Sequence, residues 1–278
     1  MRGRSWLRQC VAQLVLSLVC AVVLYPVLWV VKMAVTPSQS FSSGGALSWE
    51  TVSWENFSFL LFDTQGLFFR QLLNSVIVSF ATTLVGVALA TTAAYAFSRF
   101  VFVGRKQALA SFLITQMFPG VVMAIPLYIL LDTLSLLNSL VGLILVYSTT
   151  SVPFCVWMLK GYFDTIPKDL EEAALIDGAT RWQIFWRIVL PLAKPAIVVT
   201  ALFSFMTAWN EFILAATFLS DERMFTLPVV LQRYVGDYST QWGYFAAGAV
   251  LVSLPVMALF FALQRFLIGG LTAGAIKG

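Results

Sequence analysis

Apolar positions in this chain come in long unbroken runs rather than in alternation. Such runs occupy about residues 7–31, 72–98, 107–131, 139–159, 195–219 and 244–268, each close to or above the roughly 20 residues that a helix needs to cross the hydrocarbon core of a bilayer. Barrel strands alternate apolar and polar residues over about 10 residues, whereas a continuous run satisfies its backbone in lipid only as a helix. The pattern therefore predicts an all-α integral membrane protein, a single transmembrane domain over 1–278 with six transmembrane helices. Polar stretches separate the runs at 32–71, 160–194 and 220–243, and a short tail covers 269–278. The first run follows MRGRSWLR and is too long for a signal peptide, whose apolar core is about 7–15 residues. It reads as a retained first helix, bent near Pro26.

Composition agrees with this pattern and removes several chemistries. Hydrophobic residues make up 60% and charged residues 11% of the chain, with a mean hydropathy of +0.88, where a soluble domain carries about 25% charged residues. Cys10, Cys20 and Cys155 lie in or beside apolar runs, an odd set without a disulfide framework. The absence of histidine excludes imidazole metal sites and histidine acid–base catalysis, so neither a metal site nor a catalytic residue is expected. A pI near 9.0 would suggest nucleic acid in a soluble protein, but here the cations follow topology. Thirteen of the 17 Lys and Arg fall on the side that holds the N-terminus, leaving Lys32, Arg70, Arg223 and Arg233 on the other. The positive-inside rule then predicts both termini and the 160–194 loop in the cytoplasm, with 32–71 and 220–243 facing outward.

The least membrane-like stretch is DTIPKDLEEAALIDGATRWQIFWRIVLP, from Asp164 to Pro191. Pro167 suits a first helical position, and Asp169, Glu171 and Glu172 suit the positive end of a helix dipole. Gly178 reads as a stop, Thr180 to Gln183 has the spacing of a capping box, and Pro191 limits how far a second helix continues unkinked. The prediction is a helix–turn–helix knob whose first helix shows Leu170, Ala173, Ala174 and Ile176 among carboxylates, a surface fit for docking. Inside the apolar runs, Gln116 sits beside Pro119 and Gly120 where a helix could flex. Asn210 and Glu211 lie in the fifth run, where a carboxylate costs at least about 2.5–3.5 kcal/mol and must face a cavity or a partner. Glu211 reads as a structural or pathway-lining group, with a proton relay as the alternative. Small residues and threonines elsewhere in the runs are helix-packing positions.

The order Glu172-Ala173-Ala174, three residues, Gly178, nine residues, Ile188-x-Leu190-Pro191 resembles the EAA loop of bacterial ABC importer permeases. GYFDTIPKDLEEAALIDGA, the stretch from Ala208 to Phe212, Gln241-Trp242-Gly243 before FAAGAV, and the ending GLTAGAIKG resemble the carbohydrate-uptake branch, in particular the smaller permease subunit of maltose/maltodextrin transporters. This likeness covers the second half densely and the first half through topology.

The resemblance implies the type I importer permease fold and an ATPase-coupling role for Glu171, Glu172, Ala173, Ala174, Asp177, Gly178, Ile188, Leu190 and Pro191. It implies a second ATPase contact at the tail, through Thr272, Ala273, Gly274, Lys277 and Gly278, although Ala275-Ile276 stands where the maltose subunit typically has glycine and valine. It also implies that Gly236, Asp237, Tyr238 and Ser239 form a loop tip that reaches into an extracytoplasmic sugar-binding protein. The implied partners are a second homologous permease subunit, two copies of a cytoplasmic ABC ATPase, that binding protein and membrane lipid, with no nucleic acid. The implied place is the bacterial inner membrane. The chain has no G-x-x-x-x-G-K-[ST] loop, so no cofactor is expected here and ATP and magnesium belong to the partner ATPase. An ion-coupled secondary carrier, or a permease for trehalose or glycerol phosphate, stands as the alternative.

Overall fold

A computed structural model describes residues 2–41, 52–64, 66–236 and 240–275, and among these it is helical, with no strand beyond an isolated bridge between Val235 and Thr240. The helices are α1 (Arg2–Ala34), α2 (Glu55–Ser58), α3 (Leu67–Arg99), α4 (Arg105–Met117), α5 (Gly120–Thr133), α6 (Leu140–Phe163), α7 (Asp169–Ile176), α8 (Arg181–Ile184), α9 (Leu190–Trp209), α10 (Ile213–Phe218), α11 (Leu227–Arg233) and α12 (Trp242–Ala275). Two π turns, Phe59–Asp63 and Phe185–Val189, extend α2 and α8. Five stretches are long and apolar enough to span a bilayer, namely Arg8–Ala34, Leu67–Arg99, Leu140–Phe163, Arg181–Trp209 and Trp242–Phe266. A bent pair, α4 and α5, makes a sixth when counted as one span.

Where the sequence predicts a third span at 107–131, the chain forms two helices that meet at 104°. Proline disfavours the helical region for the residue before it and has no N–H to give; accordingly Phe118 is extended (φ −77°, ψ 125°) and Pro119 caps the next helix. Gln116 donates from Nε2 to the carbonyl of Thr150 on α6 (2.9 Å), which holds α4 beside the break. At the predicted fifth span, 195–219, one helical rod runs from Arg181 to Trp209 and a separate α10 follows it. Pro26, by contrast, lies inside an unbroken α1.

The chain divides into two compact units, Met1–Phe69 with Val230–Leu254 and Arg70–Val229 with Pro255–Gly278. In the first unit, Asn56 is buried and donates to the carbonyls of Ala34 (3.0 Å) and Thr36 (2.8 Å), while its oxygen accepts from Gln39 Nε2 (2.8 Å). The Gln39 carbonyl oxygen in turn accepts from the N–H groups of Gly243 (3.1 Å) and Tyr244 (3.2 Å), which are orphan donors at the start of α12. A Cβ at Gly243 would lie 2.8 Å from the Asn56 amide, so only glycine admits this approach. Phe59 stacks on Tyr244 with ring centroids 4.1 Å apart.

In the second unit a buried cluster joins α3, α6 and the Arg181–Trp209 rod. Ala90 and Ala94 on α3, Cys155, Val156 and Leu159 on α6, and Val189 and Ala193 on the rod are all fully excluded from the surface. Small side chains on α3 let the neighbouring backbones approach closely, the usual basis of helix packing where lipid removes the hydrophobic drive. The first turns of α3 hold an irregular stretch before α11. Gln71 donates to the Glu222 carbonyl (2.9 Å), Asn74 donates to the Arg223 carbonyl (2.8 Å), and Ser75 Oγ accepts from Leu227 N (2.7 Å).

Candidate functional site

The predicted knob is present in the second unit as an elbow between α6 and the Arg181–Trp209 rod. Its first helix, α7, starts after Lys168, two residues beyond Pro167, with Asp169, Glu171 and Glu172 in its first turn. Gly178 stops it in the left-handed region (φ +84°), with Gly178 N bonded to the Leu175 carbonyl (3.1 Å) and Ala179 N to the Ala174 carbonyl (2.9 Å). Those two bonds are the pair that closes a Schellman turn, which needs a residue free to adopt positive φ. The capping box then starts α8, because Thr180 N donates to Gln183 Oε1 (2.8 Å) and Thr180 Oγ1 accepts from Gln183 N (3.3 Å).

Pro191 does not end the second helix. The chain runs from Arg181 to Trp209 without a break, and the π turn at Phe185–Val189 ends two residues before the proline. A proline ring inside an α-helix meets the carbonyl four residues back, here that of Arg187. One wider turn at that point gives it room.

The coupling positions predicted from sequence fall into two groups. Ala174, Ile188 and Leu190 pack against the buried cluster. Glu172, Ala173, Asp177, Gly178 and Pro191 are exposed, beside Leu170, Leu175 and an Ile176 that is 86% exposed. Glu171 belongs with the inward group, since only 9% of its surface is accessible. Its Oε1 accepts from Arg99 Nε (2.5 Å) and its Oε2 from the Tyr95 hydroxyl (3.0 Å).

Arg99 also donates to the Ile166 carbonyl (3.0 Å) and to Ser98 Oγ (2.9 Å), and that hydroxyl donates to Asp164 Oδ1 (2.6 Å). Lys160 Nζ completes the network 2.6 Å from Asp164 Oδ2. Burial alone would raise the Asp164 carboxyl, but the hydrogen bonds from Lys160 and Ser98, with the positive charges of Lys160 and Arg99, outweigh it and hold the group below the ordinary carboxylate range. Sequence reasoning missed Tyr95, Ser98 and Asp164 and counted Arg99 and Lys160 only as topology charges. An available signal was Tyr95 and Arg99 at i, i+4 spacing on one helical face just where an apolar run ends.

Of the polar groups within apolar runs, Glu211 lies in the break between α9 and α10. Its carboxylate accepts from the Tyr147 hydroxyl (2.5 Å), Leu214 N (2.9 Å) and Ala215 N (3.1 Å). Asn210 caps the rod by donating from Nδ2 to the Met206 carbonyl (2.8 Å).

The predicted loop tip is bracketed by the Val235–Thr240 bridge and by Gln241 N on the Tyr234 carbonyl (2.8 Å). Gly236 is exposed there, and Asp237, Tyr238 and Ser239 lie outside the described residues. Of the tail, Thr272, Ala273 and Gly274 fall in the last turns of α12, whereas Lys277 and Gly278 lie outside the described residues. Among the described residues no three His, Cys, Asp or Glu side chains are grouped as a metal site.

A helical membrane subunit with an elbow pinned to its buried core and a second, bare face is the architecture of an ABC importer permease. Residues 82–272 match the family described as binding-protein-dependent transport system inner membrane component, and the chain belongs to that family. It is 39% identical over 285 residues to the maltose/maltodextrin transport system permease protein MalG of Escherichia coli K12, covering 96% of this chain and 95% of that one. To the galactooligosaccharides transport system permease protein GanQ of Bacillus subtilis it is 37% identical over 280 residues, with 100% and 99% covered. The trehalose transport system permease protein SugB of Mycobacterium tuberculosis is 33% identical over 264 residues, with 94% and 95% covered. In fold it is similar to a bacterial ABC transporter involved in the import of alginate, with a TM-score of 0.78 at 22% identity over 93% of this chain and 96% of that one. The MetNI methionine transporter gives 0.62 at 18% identity, over 75% and 98%.

Proposed function

We propose that this chain is the permease subunit of an ATP-driven sugar importer whose cargo is a malto-oligosaccharide or a related α-glucoside. The observation that carries the coupling part is the two-faced α7. Glu171 and Ala174 fasten one side to the bundle, while Glu172, Ala173 and Ile176 stand exposed on the other. An isolated eight-residue helix is marginal in water, and an exposed isoleucine beside alanines is suited to a partner's apolar cleft. The occupant is a cytoplasmic ABC ATPase, which binds ATP and magnesium and supplies the hydrolysis that this chain does not perform. Closure of the ATPase pushes α7, and the Arg181–Trp209 rod, which passes Pro191 without a break, carries the displacement into the membrane.

Full-length similarity to permeases named for maltodextrin, galactooligosaccharides and trehalose supports a sugar as cargo. The lysine and arginine bias supports a cytoplasmic elbow and cytoplasmic termini. A second permease subunit completes the path, the loop at 236–239 meets a sugar-binding protein, and the tail from Thr272 makes a further ATPase contact.

The reading is tested on the purified complex. Glu172→Lys places a cation on the docking face, and Gly178→Asp burdens the turn with a side chain at positive φ. Both variants are expected to lose the ATPase on co-purification and to abolish uptake of labelled maltotriose. An ATPase that stays bound and coupled in both would remove α7 from the coupling role. Calorimetry of the companion binding protein with maltotriose, trehalose and a galactooligosaccharide then assigns the cargo, and tighter binding of either of the last two would displace the maltodextrin reading.

A further inference from the structure

An eight-residue helix held only by its ends is a poor lever. On each side of α7 lies a short irregular link, 164–168 before it and 177–180 after it. A push on such a helix bends the links or rolls the helix about its own axis before it moves anything in the membrane.

The elbow has a third attachment. Both carboxylate oxygens of Glu171 are taken by donors from α3, Tyr95 and Arg99, which stand one turn apart on that helix. The same guanidinium holds the Ile166 carbonyl in the preceding link, and through Ser98 it reaches Asp164 at the start of that link. The Arg99 side chain is 5% exposed and that of Glu171 11%. Beside the pair lies a cavity of about 260 Å³ whose lining includes Lys168, Glu172 and Arg181. Directional polar contacts therefore bridge α3 and α7 where close apolar packing is incomplete. Apolar surfaces slide over one another, whereas a buried ion pair with both carboxylate oxygens and all three guanidinium nitrogens engaged fixes one rotation.

We propose that Tyr95, Arg99 and Glu171 are positioning residues that make α3 a second arm of the coupling machinery. They fix the roll of α7, so that displacement of the elbow is delivered to α3 as well as to the rod that follows it. This inference rests on the docking role given to α7 above.

The test uses the complete complex in proteoliposomes, with its binding protein loaded with maltotriose, and reads maltotriose imported per ATP hydrolysed. Glu171→Gln, Arg99→Gln and the double variant are compared with the unaltered chain. Each single variant is expected to keep the ATPase bound and hydrolysing while the ratio of sugar to ATP falls several-fold. The double variant is expected to be no worse than the more impaired single, because one contact cannot be lost twice. Arg99→Lys keeps the charge but not the fork that reaches Glu171 and Ile166 together, and it should fall between Arg99→Gln and the unaltered chain.

An unchanged ratio in assembled single variants would overturn the proposal. If the Gln variants fail to assemble, Arg99→Lys decides. A Lys variant that assembles with a full ratio, or that also fails to assemble, assigns the pair to folding alone. Failure of the underlying functional reading is visible separately, because the unaltered preparation would then hold no ATPase or import no maltotriose.

Discussion

Two carboxylates, the buried Glu171 and the half-buried Glu211, are accommodated in the same way although they serve different places. Each accepts from a tyrosine hydroxyl, Tyr95 for the first and Tyr147 for the second, and each has its other oxygen engaged as well. With these partners Glu211 is a cap for α10, taking two bonds from backbone N–H groups and one from a tyrosine hydroxyl, with no second carboxylate among them. Replacing Glu211 by Gln removes one acceptor oxygen and turns an NH₂ toward groups that are themselves donors, which at a half-buried site costs about 1 kcal/mol, the low end of the penalty for a buried polar mismatch. A lower melting temperature of the purified complex should register the loss. Transport by that variant and by the unaltered chain should respond alike to a collapsed proton gradient, whereas a gradient dependence abolished by the substitution would restore the relay reading.

At the scale of elements, the elbow turns at Gly178 and nowhere else between α7 and the membrane rod. The joint after α7 is a glycine turn, whereas Pro191 makes no second joint, since the π turn inside the Arg181–Trp209 rod lets the chain pass it without stopping. A Cβ at Gly178 would meet nothing within 4 Å, so the effect of Gly178→Ala is confined to its φ of +84°. Left-handed backbone costs an L-residue roughly 1–2 kcal/mol. Opening of α7 should become about 5–30-fold easier, and hydrogen exchange of amides 169–180 faster by that factor. Exchange at the unaltered rate would mean that Gly178 does not limit the stability of the elbow. The sharp α4–α5 bend has a similar local origin in Pro119, with Gln116 holding one side of it to α6.

At the scale of the whole molecule, the sidedness of the chain is a prediction of its charge distribution. Lys168 is exposed at the start of α7. In a background with Cys10, Cys20 and Cys155 replaced by alanine, Lys168→Cys should react with a membrane-impermeant maleimide in inside-out vesicles and stay unlabelled in right-side-out ones. The opposite labelling would put the elbow outside and detach it from any cytoplasmic motor. Membrane class, the number of apolar runs and the place of the elbow were all legible from the chain, because hydropathy, cap chemistry and glycine act within a few residues of themselves.

Sequence alone thus determined that this protein is a helical membrane subunit with a Gly178 turn and a Thr180–Gln183 cap, and that an acid in an apolar run, Glu211, needed a partner. Tertiary structure decided which partner, and which face of each element is used. Glu171 and Glu172 are adjacent and chemically equivalent, yet one is locked to Arg99 and the other is bare. Nothing within α7 separates them. The difference arises from α3, 72 residues away along the chain in the Arg99–Glu171 bond. It could be read only once packing had brought a buried cation within reach of one carboxylate, where leaving either charge unpaired is far costlier than in water.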